Sequence, residues 1–305
     1  MSEILAAVDC GTNSIRLLLS RYEGGKLTEL DRRLFLTRLG EGVDATGEFS
    51  TPGLERTFAA LDDFAEEIDA AGGTKIRVVA TSAARDANNS EVFYAGVRAR
   101  LGVNPEIIAG EEEARLSYLG AVRALPNLPA PVLVMDIGGG STELVTGSGN
   151  EVYQAVSLDI GGVRVRERFF ANEVPSKEEI LAAREYVDDL ITSSDIDFDE
   201  IYSFVGVGGT VTSLAALVQE LPHYDRERVH EYVISQSDLR HLVGRLLSST
   251  TEEILALPTM QAGRADVISA GGVIAREVSR VVGLPLTVCE ADLLDGIVAE
   301  LALGK

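Results

Sequence analysis

The 305-residue chain has no tryptophan, three methionines, three histidines and two cysteines. Two cysteines are too few for a disulfide scaffold or a four-ligand zinc site. Cys10 and Cys289 are therefore expected to be small buried hydrophobes. The histidines, His223, His230 and His241, sit in a polar stretch beside Tyr224, Asp225 and Arg226 and read as surface or interface residues. Histidine catalysis is not expected, and any metal would be a hard cation on oxygen ligands. No apolar run approaches the ~20 residues of a membrane span. The N-terminal segment carries Glu3 and no basic region, so it does not read as a signal peptide, and the expected compartment is the cytoplasm. Positive charge is scarce as well. Lys plus Arg number 27 against 48 Asp plus Glu, a net charge of −21. That field repels phosphates and excludes a general nucleic-acid or membrane-surface binder. An anionic substrate must be met by a local site. The Walker phosphate loop, GxGxxG, HExxH and GxSxG are all missing.

What is present is ordinary for a soluble globular protein: 46% hydrophobic and 25% charged residues, and a length suggesting two domains. Apolar runs at 4–8 and 15–20 read as strands, with Glu23-Gly24-Gly25-Lys26 as the hairpin turn to a third. Thr51 as N-cap and Pro52 at the first helical position open a helix that Gly72-Gly73 ends. A strand at 75–80, a helix near 89–100, a strand at 106–109 and a helix at 111–124 follow. This alternation is α/β. Three of the nine prolines fall in 126–131, which marks the junction between domains 1–125 and 126–305. Three strands follow, then helices at 161–170, 177–192, 210–220, 237–248, 264–281 and 291–302. Strands precede Gly206 and span 285–289. The last helix is placed to pack back on the first domain.

The two domain starts repeat each other. Asp9-Cys10-Gly11-Thr12-Asn13-Ser14 and Asp136-Ile137-Gly138-Gly139-Gly140-Ser141 both read D-x-G-x-x-S between apolar strands, 127 residues apart (136 − 9). Two similar domains would set these loops face to face across a cleft. Glycines let backbone N–H groups approach phosphate oxygens, and Thr12, Ser14, Ser141 and Thr142 add hydroxyls. Asp9 and Asp136 would repel phosphate unless a cation sits between, which implies Mg²⁺.

A third glycine turn, Val205 to Thr210 with Gly208 and Gly209, precedes a helix whose N-terminus favours an anion. Glu111-Glu112-Glu113, taken alone, reads as three acids at a helix start, and Glu143 as a strand-edge acid. Arg16 and Arg85 are the basic candidates, and Arg85 could clamp a phosphate from a cleft loop. The run Arg164 to Arg168 reads as a solvated helix face that could also guide a polyanion.

The blocks at 6–20, 38–43, 79–89, 106–121, 136–145, 205–217 and 264–272 together resemble the exopolyphosphatase and guanosine pentaphosphate phosphatase family. The resemblance runs in order over most of the chain. It implies the two-domain actin-like, sugar-kinase and Hsp70-like (ribonuclease H-like) fold, with the active site in the interdomain cleft. It implies hydrolysis of a terminal phosphoanhydride of inorganic polyphosphate or guanosine pentaphosphate, with Mg²⁺ or Mn²⁺ and a homodimer. By position, Glu113 becomes the general base, and Asp136 and Glu143 hold the metal and order water. Gly138 to Thr142, Gly11 to Ser14 and Arg85 become phosphate ligands. Leu294-Asp295-Gly296 departs from the family's Arg-Glu-Gly, and no helical region with HD-type metal motifs follows within these residues. An actin-like kinase and a non-catalytic sensor of nucleotide or polyphosphate are the rival classes. Glu113, Asp136 and Glu143 together speak against the sensor, because binding alone needs no base.

Overall fold

A computed structural model describes residues 2–304. Its first half runs β1 (Glu3–Cys10), β2 (Ile15–Glu23), β3 (Lys26–Phe35), α1 (Val43–Thr46), α2 (Thr51–Ala71) and β4 (Lys75–Ala80). It continues with α3 (Ser82–Asp86), α4 (Ser90–Leu101), β5 (Glu106–Ile107) and α5 (Gly110–Ala124). The second half opens with β6 (Val132–Ile137), β7 (Thr142–Ser148), β8 (Glu151–Leu158), α6 (Gly162–Phe169) and α7 (Lys177–Thr192). Then come β9 (Ser203–Val207), α8 (Gly208–Val218), α9 (Arg226–Val229), β10 (Val233–Ile234) and α10 (Gln236–Leu247). The chain closes with α11 (Thr251–Leu255), α12 (Ala262–Ala265), α13 (Ile268–Val282), β11 (Leu286–Val288) and α14 (Leu293–Ala302).

Two sheets form, in the orders β3-β2-β1-β4-β5 and β10-β11-β9-β6-β7-β8. In each, two antiparallel hairpins lead into a strand parallel to the first, β4 beside β1 and β9 beside β6. The repeat seen in the sequence is therefore a repeat of topology, the actin-like α/β fold. Both first strands are buried on both faces, as central strands of mixed sheets must be. On β1, Ala6 and Val8 face α2 and α4, while Leu5 and Ala7 face α14. On β6, Leu133 and Met135 join the core under α7, α8, α10 and α13, while Val132 and Val134 meet Ala114, Tyr118 and Ala121 of α5. Cys10 and Cys289 are buried and unpaired by disulfide.

Helices α5 and α14 cross between the sheets at a backbone-to-backbone contact. A Cβ on Gly120 would lie 2.1 Å from the Asp292 carbonyl oxygen, and one on Gly296 2.1 Å from that of Leu116. No side chain fits at either point. Gly120→Ala must force the helices apart, and a loss of about 1–3 kcal/mol of stability is expected. A urea midpoint equal to that of the wild type would show that the crossing is looser than described.

Two local readings need correction. The N-cap of α2 is Ser50, whose hydroxyl accepts from the Gly53 N–H at 3.2 Å, so Thr51 and Pro52 fill the first two helical positions. Proline is tolerated there because those N–H groups have no intrahelical acceptor. The single helix expected over 264–281 is α12 and α13 with a break at Asp266-Val267. Asp295, in the segment that departs from the family pattern, accepts from Arg32 Nη2 at 2.8 and 2.9 Å and from the Asp292 N–H at 2.9 Å. No described helix is long and apolar enough to cross a membrane.

Candidate active site

The two repeated loops are the same turn. Gly11 N donates to Ser14 O at 2.9 Å, and Gly138 N donates to Ser141 O at 3.0 Å. The strand pairing places Asp9 opposite Arg16 and Asp136 opposite Glu143, at equivalent positions. The loops also touch. A Cβ on Gly139 would sit 2.9 Å from Thr12 Cβ, and one on Gly140 2.4 Å from Ser82 Oγ and 2.9 Å from Thr12 Oγ1. Only glycine allows this approach. Between the loops lies a cavity of about 80 Å³, which Asp9, Glu113 and Asp136 also line.

The carbonyls of the second loop point one way. Gly162 N donates to Gly138 O (2.9 Å), Val163 and Arg164 N donate to Gly139 O (2.9 and 3.1 Å), and Arg164 Nε donates to Gly140 O (2.8 Å). In a planar trans peptide the next N–H points opposite its carbonyl. The N–H groups of Gly139, Gly140 and Ser141 therefore face away from α6, and they donate to no acceptor among the described residues. Gly161 permits the arrangement, since a Cβ there would lie 2.3 Å from the Gly139 carbonyl group.

Three buried carboxylates line this cavity, Asp9, Glu113 and Asp136, and a fourth, Glu143, is buried opposite Asp136 on β7 without reaching the cavity wall. Glu113 Oε2 accepts from Arg85 Nη1 at 2.9 Å. Asp136 Oδ2 accepts from Ser117 Oγ, and Glu143 Oε1 from Ser157 Oγ, each at 2.7 Å. Asp9 Oδ2 takes Arg16 Nε and Nη2 at 2.9 and 2.6 Å, while its Oδ1 is buried with no partner. Burial pushes the Glu113 carboxyl up to about 7; Arg85 opposes this, and the charges of Asp9 and Asp136 add to it. Burial likewise pushes Asp136 up to about 6 against the pull of Arg16. Burial and then the Glu113 and Asp136 charges hold Glu143 well above the ordinary carboxylate range. Asp9 is raised by burial, partly offset by Arg16.

The glycines of the third turn have a use that the motif alone did not show. Gly208 has φ +79°, and a Cβ there would meet Asp136 Oδ1 at 2.5 Å, so the carboxylate lies against the first turn of α8. A Cβ on Gly209 would meet Arg264 Nη2 at 2.5 Å. Arg264 opens the 264–272 block, but the sequence assigns it no role. It follows the glutamine that caps α12, donates from Nη1 to Ser213 Oγ at 2.8 Å, and has no carboxylate partner. Burial lowers its pKa. A half-buried guanidinium on the cavity wall with no carboxylate beside it calls for an anion. The block that contains it does not reveal this role, because its position depends on the break between α12 and α13.

Not every candidate faces the cavity. Thr142 is fully buried and its hydroxyl donates to the Ile160 carbonyl. Arg85 also donates to Ile108 O at 3.0 Å, so it braces Glu113 instead of lining the cavity. Asn13 does line the cavity, and its Nδ2 also reaches Gly263 O at 3.1 Å. The expected solvated face at 164–168 is not solvated at its start: Arg164 is 9% exposed, because α6 turns it inward under the phosphate-type loop. Among the described residues, no three His, Cys, Asp or Glu side chains form a complete metal-ligand group.

The sequence can now be set beside known proteins. The model of the Ppx/GppA phosphatase family matches residues 18–303. The chain is 40% identical, over 98% of both chains, to exopolyphosphatase 2 of Mycobacterium tuberculosis. Among solved structures, an exopolyphosphatase-like protein superposes with a TM-score of 0.94 at 37% identity, covering 98% of each chain. The Aquifex aeolicus family member gives 0.83 at 31% identity, over 100% of this chain and 99% of that one. An exopolyphosphatase from Cytophaga hutchinsonii gives 0.92 at 26%, over 99% of this chain and 98% of that one. The chain is a member of the Ppx/GppA phosphatase family, enzymes that hydrolyse phosphoanhydride bonds.

Proposed function

We propose that this protein is an exopolyphosphatase that releases terminal orthophosphate from inorganic polyphosphate, with a divalent cation in the cleft. The observation that carries the reading is Glu113: a buried carboxylate held by Arg85 on the cavity wall between two paired loops, with its pKa raised to about 7. That value suits a general base near neutral pH. Glu113 would take the proton of the attacking water as its oxygen bonds to the terminal phosphorus and the bridging P–O bond breaks. The outward N–H groups of Gly139, Gly140 and Ser141 would stabilise charge on the phosphoryl group in transfer. Arg264 would bind a neighbouring phosphate. Ser14 and the Gly208-Gly209 turn complete the wall.

The residues fit a hard divalent cation. Crowded acids and the bare Asp9 Oδ1 form a site too negative for phosphate alone. No three of these carboxylates converge as a ready ligand set, so Asp136 and the bare Asp9 Oδ1 would hold Mg²⁺ or Mn²⁺ from the cavity wall, with Glu143 behind them and phosphate and water oxygens supplying the remaining ligands. When bound, the cation would offset charge on the terminal phosphates. A homodimer and a cytoplasmic location belong to the same reading.

Guanosine pentaphosphate is the competing substrate, since it offers the same terminal phosphate. An adjoining chamber of about 550 Å³, walled in part by Arg264 and Tyr224, has room for a nucleoside. The test is phosphate release from medium-length polyphosphate with Mg²⁺, beside guanosine pentaphosphate. Faster turnover of polyphosphate is expected. Release from guanosine pentaphosphate alone would reassign the substrate, and release from neither would end the reading.

A further inference from the structure

Arg164 joins the two halves of the molecule at the back of the second loop. Its Nε donates to Gly140 O at 2.8 Å, from inside the second half. Its two other nitrogens cross to the first half. Nη1 pairs with Asp44 Oδ1 of α1 at 2.6 Å, and Nη2 pairs with Asp86 of α3 and lies 3.4 Å from Ser82 Oγ. The same rim carries further bridges: Arg168 to Asp44, Arg38 to Asp266, and Gly42 N to Glu167 Oε1 at 3.2 Å. All three guanidinium nitrogens are committed, and the side chain is 10% exposed.

This geometry has a consequence for the loop. A guanidinium is planar and rigid, so its three nitrogens move together. If the halves rotate apart, Asp44 and Asp86 withdraw from a charge that is nearly buried. The guanidinium must then swing toward water to be solvated, and its bond to Gly140 O goes with it. That carbonyl is one of the three whose direction aims the loop's N–H groups into the cavity. We propose that Arg164 is a positioning residue whose pairing with Asp44 and Asp86 makes the aim of the Ser141 N–H group, which lies opposite the Gly140 carbonyl, depend on closure of the cleft. The proposal rests on the phosphatase reading for its kinetic consequence but not for its structural one.

The test uses two variants of the full chain. Arg164→Lys keeps the charge but cannot serve three acceptors from one point. The double variant Asp44→Asn with Asp86→Asn leaves every atom that touches Gly140 in place. Backbone ¹⁵N–¹H spectra report the Gly139, Gly140 and Ser141 amides, and a polyphosphate assay with Mg²⁺ reports kcat and KM. Both variants are expected to shift the Ser141 amide in the same direction, and by more than those of Gly139 and Gly140. Misaiming the loop should lower kcat by ~10–10²-fold, with KM moving less than kcat. Loop amides at wild-type positions in the double variant would overturn the proposal, whatever the kinetics. So would an unchanged kcat in both variants when the wild type is active. If Arg164→Lys does not fold, the double variant alone decides by the same two readings. If the wild type releases no phosphate but the amides shift, the positioning role stands and the proposed reaction falls.

Discussion

Glu113→Gln should lower phosphate release from polyphosphate by more than ~10²-fold, the range that removal of a general base commands. The change keeps the shape of the side chain and an oxygen for Arg85, so folding and substrate binding should survive. A second signature separates lost proton transfer from lost geometry. A base works only when ionised, and burial raises the Glu113 carboxyl to about 7. In the wild type, kcat/KM should therefore fall as pH drops through about 7. The residual activity of the variant should lack that limb. Equal rates in the two proteins would remove Glu113 from the role, and an acid limb that persists in the variant would assign the titration to another group.

Asp136→Asn should do two opposite things. Activity should fall by ~10²–10³-fold, because the variant loses a carboxylate proposed to hold the cation and keep the end phosphates in place. Stability should rise. Asp136 is raised from 3.8 to about 6 in the folded state, chiefly by burial. A raised folded-state value means that the fold favours the protonated acid. The associated stability is present below the unfolded value and is lost as pH rises through about 6. Above that, the wild type carries a cost on the order of 3 kcal/mol. Asparagine never ionises, and its side-chain oxygen still accepts from Ser117. Without added metal, the variant should melt above the wild type at pH 8, and the gap should close by pH 4. Mg²⁺ should raise the melting temperature of the wild type at pH 8 more than that of the variant. A variant that melts lower at every pH would mean that the carboxylate is structural. Equal responses to Mg²⁺ would move the cation elsewhere.

Both predictions express one trade. The site concentrates buried negative charge beside loops built to bind an anion, and the fold tolerates this cost for function. Arg16 shows how the scaffold limits it. Burial disfavours its charge, but Asp292, Asp9 and Asp136 more than compensate and keep it protonated. Asp292 is also the N-cap of α14, accepting from the Leu294 N–H at 3.0 Å. The last helix and the first loop thus share one carboxylate.

Much of this was written in the sequence because it depends on near neighbours. Strand–turn–strand units read from alternating apolar runs and turn glycines, and the D-x-G-x-x-S pair announced two related loops before any coordinates. The helix expected at 177–192 is α7 at the same bounds, and the structure shows a Ser176–Glu179 capping box starting it. These signals act over a few residues, where turn chemistry and periodicity are strong. The tertiary structure decided what depends on distant partners. It chose Ser50 over Thr51 as a cap, broke one helix into α12 and α13, and turned Arg264 onto the cavity wall. It gave Arg85 to Glu113, spent the Thr142 hydroxyl on Ile160, and buried Arg164 between Asp44 and Asp86. In the Glu111–Glu113 run, only Glu113 is buried; Glu112 pairs with Arg115. A carboxylate becomes a base through desolvation and its neighbours' charges, and those come from segments far apart in the chain, brought together only by packing.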